Sequence, residues 1–258
     1  MTKKNFHPAE PEMVFVEGGT FTMGARIVNY HRPHEVTLTG YGIAKYPVTQ
    51  KQWEMLMGTS IVQQRDTCRD AACHVSITDG DAACHVSTPD DGILGEGDDY
   101  PMYYVSWDEA QDFINRLNTA TGKKYRLLTE AEWEFAARGG VKSNGFIYSG
   151  SNSLDNVAWY DGNSGSNTHP VGSKSPNELG VYDMSGNVDE WCNDWYDKNY
   201  YSGSSKINPQ GPSDGSFRVL RGGSWIWSAN ICRSAHHNSV TPPSRSCFIG
   251  FRLAASSL

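Results

Sequence analysis

Hydrophobic positions recur at helical spacing in three stretches of the chain, each with its own start and stop signals. Trp53, Leu56 and Met57 share a helical face before Gly58, as do Ala110, Phe113, Ile114 and Leu117 before Gly122, and Trp133, Ala136 and Ala137 before Gly139. A capping box opens each run: a Thr or Ser side chain can bond the amide three residues on, and the Gln or Glu there can bond back. The pairs are Thr49 with Gln52, Ser106 with Glu109 and Thr129 with Glu132. Short helices are predicted at about 50–57, 107–118 and 130–138.

The flanks carry the shorter apolar runs of β-strands. MVFVEGGTFTM (13–23) sets Gly18-Gly19 between two β-prone segments, which predicts a hairpin. EVTLTGYGIAKYPVT (35–49), FRVLRGGSW (217–225) and FIGFRLA (248–254) are further extended stretches. Residues 58–99 follow neither period. They are polar and contain DAACHVS twice, at 70–76 and 81–87. An inserted surface loop, with room for a local disulfide, is expected there. Cys73-His74 and Cys84-His85 are an alternative zinc set, since thiolate and imidazole both bind that ion.

Composition narrows the class. Apolar residues are 38% of the 258, joined by 26 glycines, which is a globular balance and neither a disordered nor a collagenous one. No run of about 18 apolar residues could span a bilayer, and MTKKNFHPAEPEM lacks the apolar stretch of a secretory signal. The formal charge of -7, with no Lys/Arg cluster, argues against a nucleic-acid partner, whose phosphates must be neutralised. The six cysteines, at 68, 73, 84, 192, 232 and 247, include no C-x2-C pair.

Nucleophile elbow, P-loop, HExxH and dinucleotide motifs are all missing. DMSGNVDEW (183–191) is the most informative short segment: Asp183 and Glu190 flank a Gly-Asn turn that could aim carbonyls at a hard cation such as calcium. The polar stretch 226–248 mixes Trp, His, Asn, Ser and Phe beside prolines, a composition suited to a rigid binding surface or to a plain long loop. His236 and His237 are adjacent, so in a strand they face opposite ways and are poorly placed to chelate one ion.

Taken in order, MVFVEGGTFTMG (13–24), EVTLTGYGIAKYPVTQKQW (35–53), PMYYVSWDEAQDFINRLN (101–118), YRLLTEAEWEFAARGG (125–140), NELGVYDMSGNVDEW (177–191) and RVLRGGSW…CRSAHH…IGFRLA (218–254) resemble the formylglycine-generating-enzyme (sulfatase-modifying factor) family over nearly the whole chain. The resemblance implies one α+β domain, 1–258, with a C-type-lectin-like fold: short helices, small irregular antiparallel sheets and much loop, interrupted by the 58–99 insert. The family includes a copper-dependent oxidase that converts a sulfatase cysteine to formylglycine, domains of sulfoxide synthases, and ligand-binding proteins without catalysis. The oxidase requires two cysteines shortly after GGS, as soft thiolates suit Cu(I). Here the first position falls at Trp227 and the second corresponds to Cys232, so copper is not expected.

The C-terminal blocks resemble, more narrowly, the variable proteins of diversity-generating retroelements. On that resemblance 218–254 is a variable region, and its ligand-binding positions are Ile226, Trp227, Ser228, Asn230, His236, His237, Asn238, Ser239, Val240, Ser244, Ser246, Cys247 and Phe248. The function implied is non-catalytic binding of a protein ligand, on another cell, by a chain displayed at a cell surface, although this chain shows no signal or lipid anchor. The alternative is the copper-dependent oxidase. A structural calcium would take Asp183 and Glu190 through side chains and Gly186 and Val188 through carbonyls. The family usually has Trp where this chain has Asp189.

Overall fold

The computed structural model describes residues 7–26, 33–70, 76–79, 82–85, 92–203 and 205–256. The chain begins with strands β1 (Met13–Val16), β2 (Gly19–Met23), β3 (His34–Leu38) and β4 (Tyr41–Ala44), followed by helices α1 (Gln50–Met57) and α2 (Ile61–Asp70). Strands β5 (Ser76–Asp79) and β6 (Ala82–His85) precede α3 (Trp107–Thr121), β7 (Tyr125–Leu127) and α4 (Glu130–Ala137). A long irregular stretch leads to β8 (Asp189–Trp195), β9 (Arg218–Arg221), β10 (His237–Val240), β11 (Ile249–Phe251) and β12 (Leu253–Ala255).

The three capping boxes form as the sequence predicts, with both reciprocal hydrogen bonds in each. Gly58 and Gly122 close α1 and α3 in the left-handed conformation that glycine adopts without strain. Arg138, in a right-handed conformation, caps α4 instead of Gly139. Every residue of α4 is buried, its three glutamates included. A helix with no solvent face has to satisfy those carboxylates internally.

Two of the expectations change. Residues 13–23 do not form a hairpin: β1 pairs with β4 and β2 with β3, in different sheets. The cause is packing at Gly18, where a Cβ would lie 2.6 Å from the Leu38 carbonyl oxygen; this close backbone approach carries the chain from one sheet to the other. The 58–99 segment, read as a surface loop, contains α2 and the antiparallel β5–β6 pair. Ile61 and Cys68 of α2 are buried in the main core, which anchors the helix despite its polar sequence.

Two four-stranded sheets organise the rest, in the orders β1-β4-β12-β7 and β10-β9-β8-β11. Arg252 alone separates β11 from β12, so the chain passes between the two sheets at that residue. β11 lies parallel to β8, with Ile249 opposite Asp189 and Phe251 opposite Trp191. The main core gathers Trp53, Phe113, Trp191, Trp225, Phe248 and Phe251. Trp53 stacks on Phe113 with centroids 5.8 Å apart, and Phe251 meets both edge-on. Trp191 and Trp225 donate their indole N–H groups to the carbonyls of Val105 and Cys247, which satisfies the one polar atom each carries inward. The second core packs Tyr41, Trp133, Phe135 and Val181 behind α4. Among the described residues, no helix is long and apolar enough to cross a membrane.

Candidate functional site

The turn 183–190, where calcium was expected, holds both of its carboxylates against protein partners. Arg252 is fully buried and donates through Nε and Nη2 to both oxygens of Glu190, the shortest contact being 2.7 Å. Trp133 Nε1 adds a bond of 2.7 Å to Glu190 Oε2. The carboxylate is saturated by a resident cation, and a second cation on it would face like-charge repulsion. Asp183 accepts the Gly172 amide at 2.7 Å, and burial raises its pKa to about 6. No cluster of three or more His, Cys, Asp or Glu side chains suited to a metal occurs among the described residues. Of the alternative zinc set, Cys73 and His74 lie outside the described residues, and only the backbone of Cys84 and His85 is described.

The expected ligand-binding positions divide sharply. Ser228 and Asn230 are exposed, and Ile226, Trp227 and Ser244 are partly so. His236, His237, Asn238, Ser239, Val240, Ser246, Cys247 and Phe248 are all buried, none more than 8% exposed. These eight cannot form an open surface in this fold, and the assignment of 226–248 as one continuous face is corrected accordingly. β10 is hydrogen-bonded to β9 on one side and runs beside β5 of the insert on the other. Val240, Cys247 and Phe248 join the core that includes Ile61 and Cys68 of α2. The insert that the sequence left on the surface thus covers much of this stretch.

A charged network explains how the polar side chains tolerate burial. Arg221, on β9, is fully buried and bonds Glu134 Oε2 at 2.7 Å and Glu130 Oε1 at 3.1 Å. Its Nη1 also donates to the carbonyls of Ser234 and His236. Burial disfavours the Arg221 charge, but Glu130 and Glu134 more than offset this and raise its pKa. Burial likewise opposes ionisation of Glu134, yet Arg221 and Arg138 hold its pKa below the usual carboxylate value. His237 Nδ1 lies 2.9 Å from Glu130 Oε1, and the Tyr201 hydroxyl donates to Glu130 Oε2 at 2.9 Å. His236 is pushed down to about 3 by burial and by its neighbour His237, so it is neutral at physiological pH. Asp194 is pushed well up by burial and by Glu130, and its Oδ2 accepts the Glu130 amide. Sequence inspection missed Arg221 and Glu130. The available signal was the Glu130/Glu134 spacing of four, which places two acids on one helical face of a buried run and demands a cation.

Next to this network lies the part of the C-terminal segment that reaches the surface. Asp189 Oδ2 accepts the Trp227 indole N–H at 2.6 Å, and Oδ1 accepts the Gly223 amide at 3.1 Å. The two residues that depart from the expected motif, Asp189 for Trp and Trp227 for Cys, are therefore bonded to each other. Burial raises the Asp189 pKa to about 7. Trp227 also meets Phe248 edge-on at 5.4 Å. Cys232 is free and buried, and burial followed by the Asp189 charge raises its thiol pKa well above normal. Nucleophilic and metal-binding cysteines need access to the thiolate, which burial disfavours here. Cys68, Cys192 and Cys247 are also buried. Beyond Trp227, the chain presents Ser228, Ala229, Asn230 and Ile231 outward, with Arg233 Nη2 donating to Asn230 Oδ1 at 2.9 Å.

Comparison with known proteins places this geometry in a family. The sequence matches the sulfatase-modifying factor enzyme 1-like domain over residues 1–257. It is 34% identical to the chaperone protein LppX of Paenibacillus barcinonensis over 256 residues, covering 87% of this chain and 82% of that protein. A formylglycine-generating enzyme of Mus musculus is 30% identical over 292 residues, covering 96% and 76%. Other curated relatives are much longer, and the chain spans 38% of their length. The structure superposes on Treponema denticola variable protein 1 with a TM-score of 0.76 at 30% identity, covering 95% of this chain and 94% of that one. The α+β architecture is thus the C-type-lectin-like fold of these proteins, and the chain belongs to the sulfatase-modifying factor enzyme 1-like domain family.

Proposed function

We propose that this protein is a non-catalytic binding protein that recognises a protein ligand through the exposed part of its C-terminal segment. The observation that carries the reading is the Asp189–Trp227 pair. The resemblance puts the first of the oxidase's two copper-binding cysteines at Trp227, whose indole is instead engaged by a buried carboxylate at 2.6 Å. The remaining Cys232 is a buried thiol with a raised pKa, and one such thiol does not make a Cu(I) pair. The likeness to a variable protein across almost the full length of both chains supports a scaffold that holds its shape while loop side chains differ.

The recognition surface in this reading is the loop Ile226, Trp227, Ser228, Asn230, with Ser244 on the neighbouring loop. Trp227 is its anchor, being held by Asp189 and Phe248 while part of its ring stays accessible. Rigid aromatic side chains give up little entropy on binding and dominate hot spots. The ligand is a protein on another cell and the chain is displayed at a cell surface. Protection of the protein from protease added to whole cells would refute that location.

The alternative is a formylglycine-generating oxidase, which the 30% identity to the mouse enzyme keeps in view. Incubation with a cysteine-containing sulfatase peptide and copper separates the two. No formylglycine is expected, and product that disappears in Cys232→Ala would overturn the binding-only reading. A reverse transcriptase gene beside a near-copy of the sequence encoding 218–254, differing only at adenines, is the expected genomic setting.

A further inference from the structure

Buried arginines in this protein are matched with carboxylates: Arg221 with Glu130 and Glu134, and Arg252 with Glu190. The partly buried Arg245 and Arg138 have Glu109 and Glu134. Arg218 of β9 has no carboxylate of this kind, and neither does Arg233, which bonds Asn230 instead. The Arg218 guanidinium is held between two indoles, with Cζ 3.8 Å from the ring centre of Trp107 and 3.4 Å from that of Trp195. Nη1 donates to the Asn193 carbonyl, Nε is buried with no acceptor, and Nη2 is open to solvent with no acceptor among the described residues. Asp194 and Asp108 influence its charge from a distance without forming an ion pair. Burial with so little compensation brings Arg218 down to about 10.

We propose that Arg218, Trp107 and Trp195 form a binding site for a carboxylate, presented by an aspartate or glutamate side chain of a protein partner. Clamping between aromatic rings removes most of the rotamer freedom that a surface arginine would lose on binding, so the open N–H edge is preorganised. One guanidinium neutralises one negative charge. A phosphate dianion would be left with excess charge beside Asp108 on a protein of net charge -7, which favours a carboxylate. The indole edges offer apolar surface to the methylene groups of an acidic side chain. The position also adjoins an exposed loop: Arg218 is opposite Val240 in the β9–β10 pairing, and Trp107 N donates to the Pro242 carbonyl. Thr241 and Pro243 are exposed there, and Ser244 partly so.

Calling the partner a protein rests on the function proposed above, while the carboxylate site itself does not. The test is titration of the folded protein with N-acetylglutamate amide at constant ionic strength, followed by tryptophan fluorescence. N-acetylglutamine amide, glucuronate and inorganic phosphate are run alongside. A saturable response to the glutamate compound and none to the glutamine compound is expected, weakened about tenfold or more in Arg218→Met. Asp108→Asn, an exposed change that leaves the clamp intact, should tighten binding by removing a like charge, and it serves if Arg218→Met fails to fold. No saturable response in the natural protein, or an equal one in Arg218→Met, would overturn the site. Preference for phosphate would overturn the carboxylate assignment, and preference for glucuronate would overturn the protein partner. A carboxylate response in a protein that also makes formylglycine would keep the site and refute the binding-only function.

Discussion

Two stretches of the C-terminal segment, 226–231 and 236–248, have much the same mixture of aromatic, small and polar residues, and the fold treats them oppositely. The first carries its side chains at or near the surface, with Ile226, Trp227 and Ala229 packed partly against the cores. The second is buried along β10 and again at Ser246, Cys247 and Phe248. Nothing local separates them. What differs is the partner each meets: the second stretch is covered by the insert and lies against Arg221 and Glu130, which supply hydrogen bonds to the His236 carbonyl and the His237 ring. Polar composition therefore reports that a segment has hydrogen-bonding needs and leaves open whether water or protein meets them.

The contrast can be broken most forcefully at Arg221. Replacing it with Met takes the arginine from buried Glu130 and leaves Glu134 with Arg138 alone, and a loss of about 3–5 kcal/mol is expected in chemical denaturation. An Arg221→Met protein as stable as the parent would mean that the network carries no charge. Phe248→Ala tests the same region through packing. The residue was expected to be an exposed anchor, and because it is 0% exposed its truncation should cost about 3–5 kcal/mol. His237→Ala should cost about 1–3 kcal/mol by removing a buried partner of Glu130. A loss under about 0.5 kcal/mol would return β10 to the surface class.

A pH experiment sharpens the boundary between the two stretches, where Asp189 sits. Its folded pKa, about 7, is raised above that of an unfolded aspartate. Between about pH 4 and 7 the folded protein therefore holds a proton that the unfolded chain has released, and stability from this group is lost as pH rises. Asp189→Asn keeps an acceptor for Trp227 and removes the titration. Relative to the natural protein, it should gain a few degrees in Tm, roughly, as pH is raised from 5 to 8. Parallel Tm profiles would show that Asp189 ionises normally. The smallest effect belongs to the exposed loop: Ser228→Ala and Asn230→Ala should each change stability by less than about 0.5 kcal/mol while weakening ligand binding.

The helices and their ends were legible because capping is a local code. Thr49, Ser106 and Thr129 reach partners three residues away, within one turn, and no distant contact can disguise the pattern. Trp191, Trp225 and Phe251, within the ordered motif blocks, are buried. The family resemblance, carried by six ordered blocks, was equally plain. Other features were beyond local inspection. Asp183 and Glu190 have the residue types of a calcium site, but Arg252, 62 positions from Glu190 along the chain, takes the carboxylate. Gly18-Gly19 has the composition of a hairpin turn, and contact with Leu38 makes it a crossing between sheets.

By itself the sequence determined α1, α3 and α4 with their N-terminal caps, the strand-rich ends and the family, since these rest on short-range spacing and on ordered motifs. Tertiary structure alone decided which polar residues face water. Burial depends on what packs across from a residue: the insert over β10, α4 beneath Arg221, β12 drawing Arg252 toward Glu190. It also decided that Asp189 and Trp227, 38 positions apart, form one pair, and that Arg218 is left with an open edge between two indoles. Such pairings are set by the register of strands distant in sequence, and a composition or a period carries no information about register between them.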